Sequence, residues 1–457
     1  MWLGRECIVY LDYMKKQGDS IYDVYIDFRL KKDLTLFVGS SENNQNFGET
    51  NTYLELCNVK TNKRLRSGCY YKLNLALINK LQFIQNEESL FIGRTYNCET
   101  MKWPNIDQEE LLQSHELLDP TELLHNNNPN ELIIRDLSNK NLTLNVRDVN
   151  QANWNEVLED GIIKLVYDLG APLNASKYEV QTIFDTRRNT LERDKPILII
   201  SHWDMDHIHC LRYANLQTIQ DCFSKFVCVD AMKSLTSHNI YNNVCNALGI
   251  RNVYCIQPAY RTNGISMHLW KRVGNISIYI GEKSTNINYC GLCMFVKGMQ
   301  SSVNFTGDIR LIQAKNIYDQ ELQQNIATDN HILIAPHHGG ENTSKHRIYS
   351  IPTTEVIISV GANNNYGHPS KHMLSYLSML CDNNIYRTDV DGDVVEHIVI
   401  QIQIHLLGLV FDNGHAGLII RGLNVCQQTP FKTGFQPILQ CEHVAGLPVG
   451  GHDDLLM

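Results

Sequence analysis

The sequence predicts an α/β protein, and two observations carry this prediction. Between residues 142 and 400, short β-rich runs alternate with helical patterns and polar loops; the runs are 143–149, 162–167, 197–200, 276–280, 294–296, 303–305, 332–334 and 356–360. Strands and helices that alternate in this way pack as sheets covered by helices. With 457 residues, 43% of them hydrophobic, the chain is long enough for two or three domains.

The domain organisation is read from breaks in these patterns. Residues 1–135 mix strand-like alternation at 22–28 with a helical patch at 109–124, which predicts a mixed α/β or β-rich N-terminal domain. The segment HNNNPN at 125–130 marks a boundary, and a second domain is expected over 142–400. Residues 401–457 are expected to form C-terminal strands, with alternation from 399 to 404 and a hairpin turn at 412–414, and then a loosely ordered tail.

Composition excludes several function classes. A formal net charge of −9 argues against wholesale coating of nucleic acid, although a local basic groove stays open. No secretory leader and no uncharged apolar stretch of about 18 residues is visible, so a soluble cytoplasmic protein without a membrane partner is expected. The 14 cysteines are scattered, and the CxxC of Cys290 and Cys293 is expected to fill a core as reduced thiols.

The segment SHWDMDHIHC at 201–210 holds the first candidate site residues. It follows the apolar run 196–200, and alternate residues of an extended segment point the same way. Four potential ligands can therefore converge: His202, Asp204, Asp206 and His207. Imidazole and carboxylate groups suit zinc or manganese, and a catalytic ion keeps one position open for water. A hydrogen-bonded polar turn is the alternative interpretation of this segment.

Three further strands end in residues of the same chemical types. The segments are NFTGD at 304–308, APHHGG at 335–340 and SVGANNNYGHP at 359–369, and each one follows an apolar run. They supply Asp308, His337, His338 and His368. Because α/β folds build sites just beyond their strand ends, these residues and the first cluster predict one discontinuous metal site.

The order HxDxDH, TGD, PHHGG and GHP, closing with YRTD at 386–389, resembles the metallo-β-lactamase-fold hydrolases, specifically the hydrolase domain of ComEC DNA-uptake proteins. The resemblance covers residues 142–400. Upstream, LNVRDVNQ at 144–151 is similar to the family's opening strand and DVGQGD turn, with Asn150, Ala152 and Asn153 as departures. The segment IKLVYDLG at 163–170 is similar to its second strand, which ends in Asp-x-Gly.

The resemblance implies a four-layer αββα sandwich, with metals at one sheet edge, beside the additional N-terminal domain. It places His202 and Asp204 on a first metal, Asp206 and His207 on a second, and Asp308 between them. His368 is the expected late ligand, whereas His337 and His338 fit either ligation or proton donation to a phosphate. Asp206, His337 and His338 are the expected catalytic residues. His209 and Cys210 are expected to pack structurally.

The number and identity of the ions stay open at this point. Asp204 stands where the wider superfamily has a histidine, and a carboxylate there makes manganese an alternative to zinc. Asn288 stands where this branch has an asparagine and the wider superfamily a histidine, so one or two divalent ions are expected.

Three functions follow from the resemblance. The first is a nuclease that hydrolyses phosphodiester bonds through a metal-activated water. The second is a phosphodiesterase of a small molecule, such as a cyclic nucleotide or a phosphorylcholine ester. The third is a scaffold whose hydrolase domain is regulatory and whose residues 1–135 bind a protein partner. Two modest basic clusters are compatible with nucleic acid: Lys60, Lys63, Arg64 and Arg66, and Arg187, Arg188, Arg193 and Lys195.

Overall fold

The computed structural model describes the greater part of the chain. The described residues are 6–40, 53–60, 65, 67–74, 82–84, 94–97, 131–137, 141–284, 286–298, 301–324, 330–340, 351–364, 366–382, 384–398, 410–412 and 415–417. The helical patch at 109–124, the boundary at 125–130, the alternation at 399–404 and the tail lie outside them. The domain limits at 135, 142 and 400 therefore stay predictions.

The N-terminal residues form a six-stranded sheet of their own. Its strands are β1 (Glu6–Gly18), β2 (Ile21–Phe28), β3 (Tyr53–Lys60), β4 (Cys69–Asn74), β5 (Gln82–Ile84) and β6 (Arg94–Asn97), in the spatial order β4-β1-β2-β3-β6-β5. Helix α1 (Lys31–Ser40) packs on it, and buried side chains such as Val24, Phe28 and Phe37 form a separate apolar core. This confirms the β-rich N-terminal part that the sequence predicts.

A seven-stranded mixed sheet follows. It consists of β7 (Leu142–Val146), β8 (Asn155–Glu159), β9 (Ile162–Tyr167), β10 (Ile197–Ile199), β11 (Lys225–Val229), β12 (Val253–Ile256) and β20 (Val394–Ile398), in the order β12-β11-β10-β9-β8-β7-β20. Strands β9 to β12 pair in parallel, whereas β20, β7, β8 and β9 pair antiparallel. The parallel strands are almost continuously apolar because both faces of this half are covered.

A second seven-stranded sheet repeats this division. Its strands are β13 (Met267–Val273), β14 (Ile276–Gly281), β15 (Leu292–Lys297), β16 (Ser301–Phe305), β17 (Asn330–Ile334), β18 (Glu355–Ile358) and β19 (Ile385–Arg387), side by side in chain order. Strands β13 to β16 pair antiparallel, and β16 to β19 pair in parallel. The carboxyl ends of the parallel strands consequently lie at one edge of each sheet.

The two sheets face each other with helices outside. One continuous core contains side chains of both sheets, and the rings of Tyr167 and Phe305 meet across it with centroids 5.5 Å apart. The outer helices are α2 (Lys177–Asp194), α3 (Met205–Tyr213), α4 (Leu216–Cys222), α5 (Leu235–Leu248), α6 (Leu311–Gln323), α7 (Lys371–Leu380) and the short α8 (Thr388–Asp391). The four-layer αββα sandwich is thereby confirmed.

Two smaller observations complete the fold. Strands β21 (Val410–Asp412) and β22 (His415–Gly417) pair antiparallel, so a hairpin spans the predicted turn, whose residues 413 and 414 lie outside the described part. Both cysteines of the CxxC are buried, Cys290 in a 3₁₀ turn and Cys293 in β15. Within the described ranges, no helix is long and apolar enough to cross a membrane.

Candidate metal centre

The first part of the site is the loop between β10 and α3. The chain leaves the sheet after Ile199, passes through His202 in an extended loop, and begins α3 at Met205 with Asp204 at its N-cap. The side chains of His202 and His207 are buried, and their ring centroids are 4.1 Å apart. The apolar strand and the helix start thus hold this polar motif in one short, rigid segment.

Asp168 holds this loop in place from the end of β9. Its carboxylate accepts hydrogen bonds from Ser201 N (2.7 Å), Ser201 Oγ (2.9 Å), Asn153 Nδ2 (2.8 Å) and His207 Nδ1 (2.8 Å). Asp168 is fully buried and has a left-handed backbone conformation, with φ at 62°. A carboxylate that binds one ring nitrogen of a histidine fixes its tautomer and turns the other nitrogen toward the site.

Two more imidazoles are oriented in the same way. His338 Nδ1 donates a hydrogen bond to the carbonyl of Ser359 at 2.7 Å, and His202 Nδ1 lies 3.0 Å from Ser201 Oγ. The Nε2 atoms of His202, His207 and His338 are buried, and none has a hydrogen-bond partner among the described residues. Buried ring nitrogens without partners are costly, which makes them suited to a ligand.

Carboxylate oxygens complete two possible ligand groups. Asp308 Oδ1 lies 3.1 Å from His207 Nε2 and 3.8 Å from His338 Nε2, and Asp206 Oδ2 lies 3.3 Å from His338 Nε2. Two groups of donor atoms lie within 4.8 Å of one another. The first group consists of His202, His207 and Asp308, and the second of Asp206, His207 and His338. Two or three imidazole nitrogens with one or two carboxylates suit zinc or manganese, so the residues present fit a divalent ion.

The charges in this cluster depend strongly on one another. Burial alone raises the pKa of Asp308, but the imidazoles of His337 and His207 bring it well below its ordinary value. Burial alone lowers the pKa of His207, but the carboxylates of Asp308, Asp168 and Asp206 raise it well above the ordinary value. A divalent cation would take the place of these protons as the partner of the carboxylates.

Asp204 stands apart from both ligand groups. Its Oδ1 accepts hydrogen bonds from Lys233 Nζ at 2.6 Å and from Tyr10 Oη at 3.0 Å, whereas its Oδ2 lies 3.3 Å from His202 Nε2. One oxygen is therefore occupied by an ammonium group of the protein itself. The assignment of Asp204 to a first metal stays a prediction, with only Oδ2 directed at a histidine of the site.

Lys233 is a lysine buried among aromatic and acidic side chains. Its side chain is 1% exposed, and Nζ also binds Asp12 Oδ1 at 2.6 Å and lies 4.3 Å from the ring centroid of Tyr10. Tyr70 Oη donates to the carbonyl of Lys233 at 2.8 Å. Burial alone lowers the pKa of Lys233, but Asp12 and Asp204 raise it above its ordinary value. The N-terminal sheet thus contributes directly to the site.

The PHHGG segment turns two histidines in different directions. His337, His338 and Gly339 all have left-handed backbone, with φ of 54°, 52° and 73°. His337 Nδ1 bonds the carboxylate of Asp308, and its side chain remains 32% exposed to the cavity. Backbone strain of this kind persists only where the surroundings hold it, and here it directs adjacent side chains to separate positions.

The loop after β18 brings His368 close to the cluster. Its ring lies 5.2 Å from that of His337 and 6.4 Å from that of His338, measured between centroids. A Cβ on Gly340 would lie 2.6 Å from His368 Nε2, so glycine is required there for this approach. Burial, together with the neighbouring imidazoles of His337 and His338, lowers the pKa of His368 to about 3. Its role as the late ligand stays a prediction.

Asn364 organises the loop that carries His368. Its Nδ2 donates to the carbonyls of Gly361 (2.9 Å) and His368 (2.6 Å), and its Oδ1 accepts from the backbone N of Tyr366 (3.1 Å) and of His368 (3.0 Å). Asn288, in a 3₁₀ turn, extends Nδ2 to Asp308 Oδ2 at 3.4 Å. Asn364 therefore holds its own loop, and Asn288 links its turn to the loop that carries Asp308.

Sequence reasoning missed several residues of this centre. The Asp-x-Gly ending of β9 was the signal for Asp168, and a Cβ on Gly170 would lie 1.8 Å from the carbonyl oxygen of Asp206, which explains its glycine. Asp12, Tyr10 and Lys233 belong to no motif. His209 and Cys210 are buried and hydrogen-bonded to the backbone of Pro172 and Gly170, outside the ligand groups.

The centre lies in a cavity of about 280 Å³. The sandwich supplies the acidic residues and histidines, and the N-terminal sheet covers one side with Asp12, Tyr13, Met14, Ser67 and Gly68. Because the cover belongs to a different sheet from the ligands, the sandwich alone does not define the space open to a substrate.

The arginines of the second basic cluster are engaged in ion pairs. Arg187 binds Glu156 at 2.6 Å, Arg188 binds Glu192 at 2.7 Å, and Arg193 binds Asp194 at 2.6 Å. In the first cluster only Lys60 lies within the described residues, and it is exposed. The three arginines of the second cluster therefore already have carboxylate partners, whereas Lys195 is exposed.

Comparison with protein-family models and with curated proteins finds no match. Among solved structures, the crystal structure of human tRNase Z, short form (ELAC1), is similar to part of this chain. The likeness covers 56% of this chain and 100% of that chain, with a TM-score of 0.32 and 9% sequence identity.

Proposed function

We propose that this chain is a metal-dependent hydrolase of phosphodiester bonds, with a nucleic-acid strand as its substrate. One observation supports the proposal most. Three buried Nε2 atoms and the buried Oδ1 of Asp308 lack hydrogen-bond partners among the described residues, and they belong to two groups of donor atoms within 4.8 Å of one another; the histidines are His202, His207 and His338. Each imidazole has its other nitrogen held by the protein, as metal-binding histidines do.

Different residues of the chain would hold the ion, orient its ligands and cover the site. A bound zinc or manganese ion would supply the Lewis acidity that activates water and neutralises charge on phosphoryl oxygens. The ion would be held by Asp206, His207, Asp308 and His338. His202 would extend this ligand set toward Asp204. Asp168 and Ser359 keep the imidazoles oriented, and the covering N-terminal strand β1 limits the access of bulk water.

His337 is the candidate proton donor to the leaving oxygen. Unlike His338, it lies partly exposed in the cavity, and Asp308 binds its Nδ1, which leaves Nε2 for the substrate. General acids of this kind need a position within hydrogen-bond reach of the leaving group and a partner that fixes the ring. We therefore assign ligation to His338 and proton donation to His337.

A small phosphodiester, such as a cyclic nucleotide, is the second candidate substrate. The ion pairs of Arg187, Arg188 and Arg193 favour it, because the paired carboxylates partly neutralise the basic charge that would attract a long phosphate backbone. The two candidates share the metal chemistry and differ in the length of the strand that is bound.

Metal analysis tests the site. We expect bound zinc or manganese in the wild type and its loss in Asp308→Ala and His202→Ala, measured by mass spectrometry of the purified proteins. His268→Ala is the matched control, because His268 is a partly exposed histidine paired with Glu282. Equal metal content in all four proteins would refute the assignment.

A substrate panel tests the reaction. We expect the metal-loaded protein to hydrolyse bis(p-nitrophenyl) phosphate and to cleave single- or double-stranded DNA or RNA at low salt. Turnover of the small ester with inert polynucleotides would favour the second candidate. No turnover of any phosphodiester by metal-loaded protein would overturn the proposal.

A further inference from the structure

A second cavity adjoins the metal centre. It has a volume of about 450 Å³, and its lining shares Tyr13, Leu173 and Tyr366 with the cavity of the metal centre. Small-molecule sites typically measure about 300–1,000 Å³. The two cavities therefore lie side by side, and a ligand group bound at the metal centre has a second compartment of adequate size next to it.

The two compartments differ in charge. The metal cavity contains four carboxylates among its lining residues, namely Asp12, Asp204, Asp206 and Asp308. The second cavity has Glu179 as its single ionisable acid, and that carboxylate accepts a hydrogen bond at 2.6 Å from Ser176 N, in the capping box of α2. A neutral ligand group therefore suits the second cavity. The first cavity suits a phosphate only when a bound metal ion balances its carboxylates.

Tyrosine rings line the second cavity. The rings of Tyr13 and Tyr366 pack with centroids 4.3 Å apart, and Tyr25 lies 5.5 Å from Tyr13. Tyr178 lies at the start of α2 and is 78% exposed. An exposed aromatic ring at the rim of a cavity offers a face for stacking by a planar heterocycle.

Side-chain amides provide the polar lining. They belong to Asn150, Gln151, Asn174, Asn363 and Asn364. Gln151 Oε1 accepts from the backbone N of Gly361 at 3.2 Å, while its buried Nε2 has no hydrogen-bond partner among the described residues. The buried hydroxyl of Tyr13 also lacks one there. Amides present a donor and an acceptor together, which matches the edge of a nucleobase.

We propose that the second cavity binds the unpaired base of a nucleotide whose phosphodiester lies at the metal centre. This inference rests on the proposed function and names its substrate class. The neutral aromatic and amide lining takes the base, and the metal cavity takes the phosphate. A base inside a duplex is stacked on both faces and paired along one edge, so the substrate is a single-stranded end or a free nucleotide.

Equilibrium binding tests the subsite without turnover. Calorimetric titrations of the metal-loaded full chain would compare adenosine 5′-monophosphate with ribose 5-phosphate, which has the phosphate and lacks the base. We expect the nucleotide to bind about tenfold more tightly or better, because base stacking on an aromatic side chain contributes this much. Equal affinities would overturn the inference.

Three variants locate the base. Tyr178→Ala is expected to weaken adenosine 5′-monophosphate about tenfold and to leave ribose 5-phosphate unchanged, whereas Tyr178→Phe retains the ring and the affinity. Tyr260→Ala is the matched control, because Tyr260 is 86% exposed and lines neither cavity. Unchanged nucleotide affinity in Tyr178→Ala, or equal weakening of both ligands, would overturn the placement.

The outcomes separate this inference from the proposed function. If the base preference and its loss in Tyr178→Ala are observed but no phosphodiester is hydrolysed, the proposed function fails and the subsite stands. If bis(p-nitrophenyl) phosphate is hydrolysed but the base adds no affinity, the subsite fails and the hydrolase stands.

Discussion

Asp204 and Asp206 are two positions apart, and their carboxylates have chemically different partners. Asp206 faces imidazoles, with Oδ2 at 3.3 Å from His338 Nε2. Asp204 faces the ammonium of Lys233 at 2.6 Å and the hydroxyl of Tyr10 at 3.0 Å. Each carboxylate is 13% exposed. The pKa of each is held below its ordinary value despite this extensive burial, by Lys233 and His202 for Asp204 and by His207 and His338 for Asp206.

The difference separates the centre into two regions. Around Asp206 the balancing positive charge must come from protons on histidines or from a metal ion. Around Asp204 the protein supplies a permanent cation, because both neighbouring carboxylates hold Lys233 charged. We infer that the ion binds on the Asp206 side, and that the Asp204 side contributes structure and a fixed charge.

The largest expected effect is on stability, in Lys233→Met. The substitution leaves Asp12 and Asp204 buried without their cation, and breaking a buried pair in this way costs about 3–5 kcal/mol. We expect the Tm and the denaturant midpoint to fall clearly. The control is Lys15→Met, which removes an exposed lysine of β1. A stability equal to that of the control would contradict a structural role for Lys233.

Asp206→Asn and Asp204→Asn compare the two sides directly. We expect metal affinity, measured by competition with a chelating dye, to fall more than about 100-fold in Asp206→Asn, since even outer residues contribute 10–100-fold. In Asp204→Asn we expect a smaller loss, because Lys233 already occupies Oδ1. Equal losses in both variants would remove the distinction between the two regions.

Asp168→Asn tests the support of His207. The amide cannot accept every hydrogen bond that the carboxylate accepts from Ser201 and His207, so the imidazole loses its fixed orientation. Metal affinity is expected to fall about 10–100-fold. Asp160→Asn is the matched control, since Asp160 is exposed in a left-handed turn that asparagine also adopts. Full affinity in Asp168→Asn would show that orientation does not depend on this carboxylate.

The smallest effect is expected for Tyr10→Phe. It removes one hydrogen bond to Asp204 and keeps Lys233 in place, so the free energy of unfolding should fall by about 1–2 kcal/mol. Metal affinity should stay within about twofold of the wild type, because the hydroxyl of Tyr10 donates its hydrogen bond to Asp204. A large loss of metal would show that the two regions are coupled.

The sandwich and most positions of the candidate metal cluster could be predicted because local sequence encodes them, and the role of these residues as ligands stays a prediction. Strands β10, β16 and β17 are short apolar runs, and each is followed within a few residues by its ligand-type side chains. Strands β16 and β17 are parallel neighbours in one sheet, so Asp308 and His338 follow adjacent strand ends. Strand β10 belongs to the other sheet, and His207, in the helix that follows it, meets Asp308 across the sandwich at 3.1 Å.

Other parts of the centre could not be predicted in this way. Asp12 and Lys233 are separated by 221 positions and lie in no motif, and a buried lysine is rare enough that an isolated one is read as exposed. The different roles of His337 and His338 depend on three consecutive left-handed residues, which set the direction of each ring. Residue type alone does not encode that direction.

The pairing of Asp12 with Lys233 also bears on how the chain acquires its structure. At about 5–20 residues per second, synthesis of the intervening residues takes on the order of tens of seconds. Throughout that time strand β1 carries a carboxylate whose cation has not yet been made. The N-terminal sheet is synthesised before the sandwich, and the ion pair between Asp12 and Lys233 cannot form until the loop after β11 has been made.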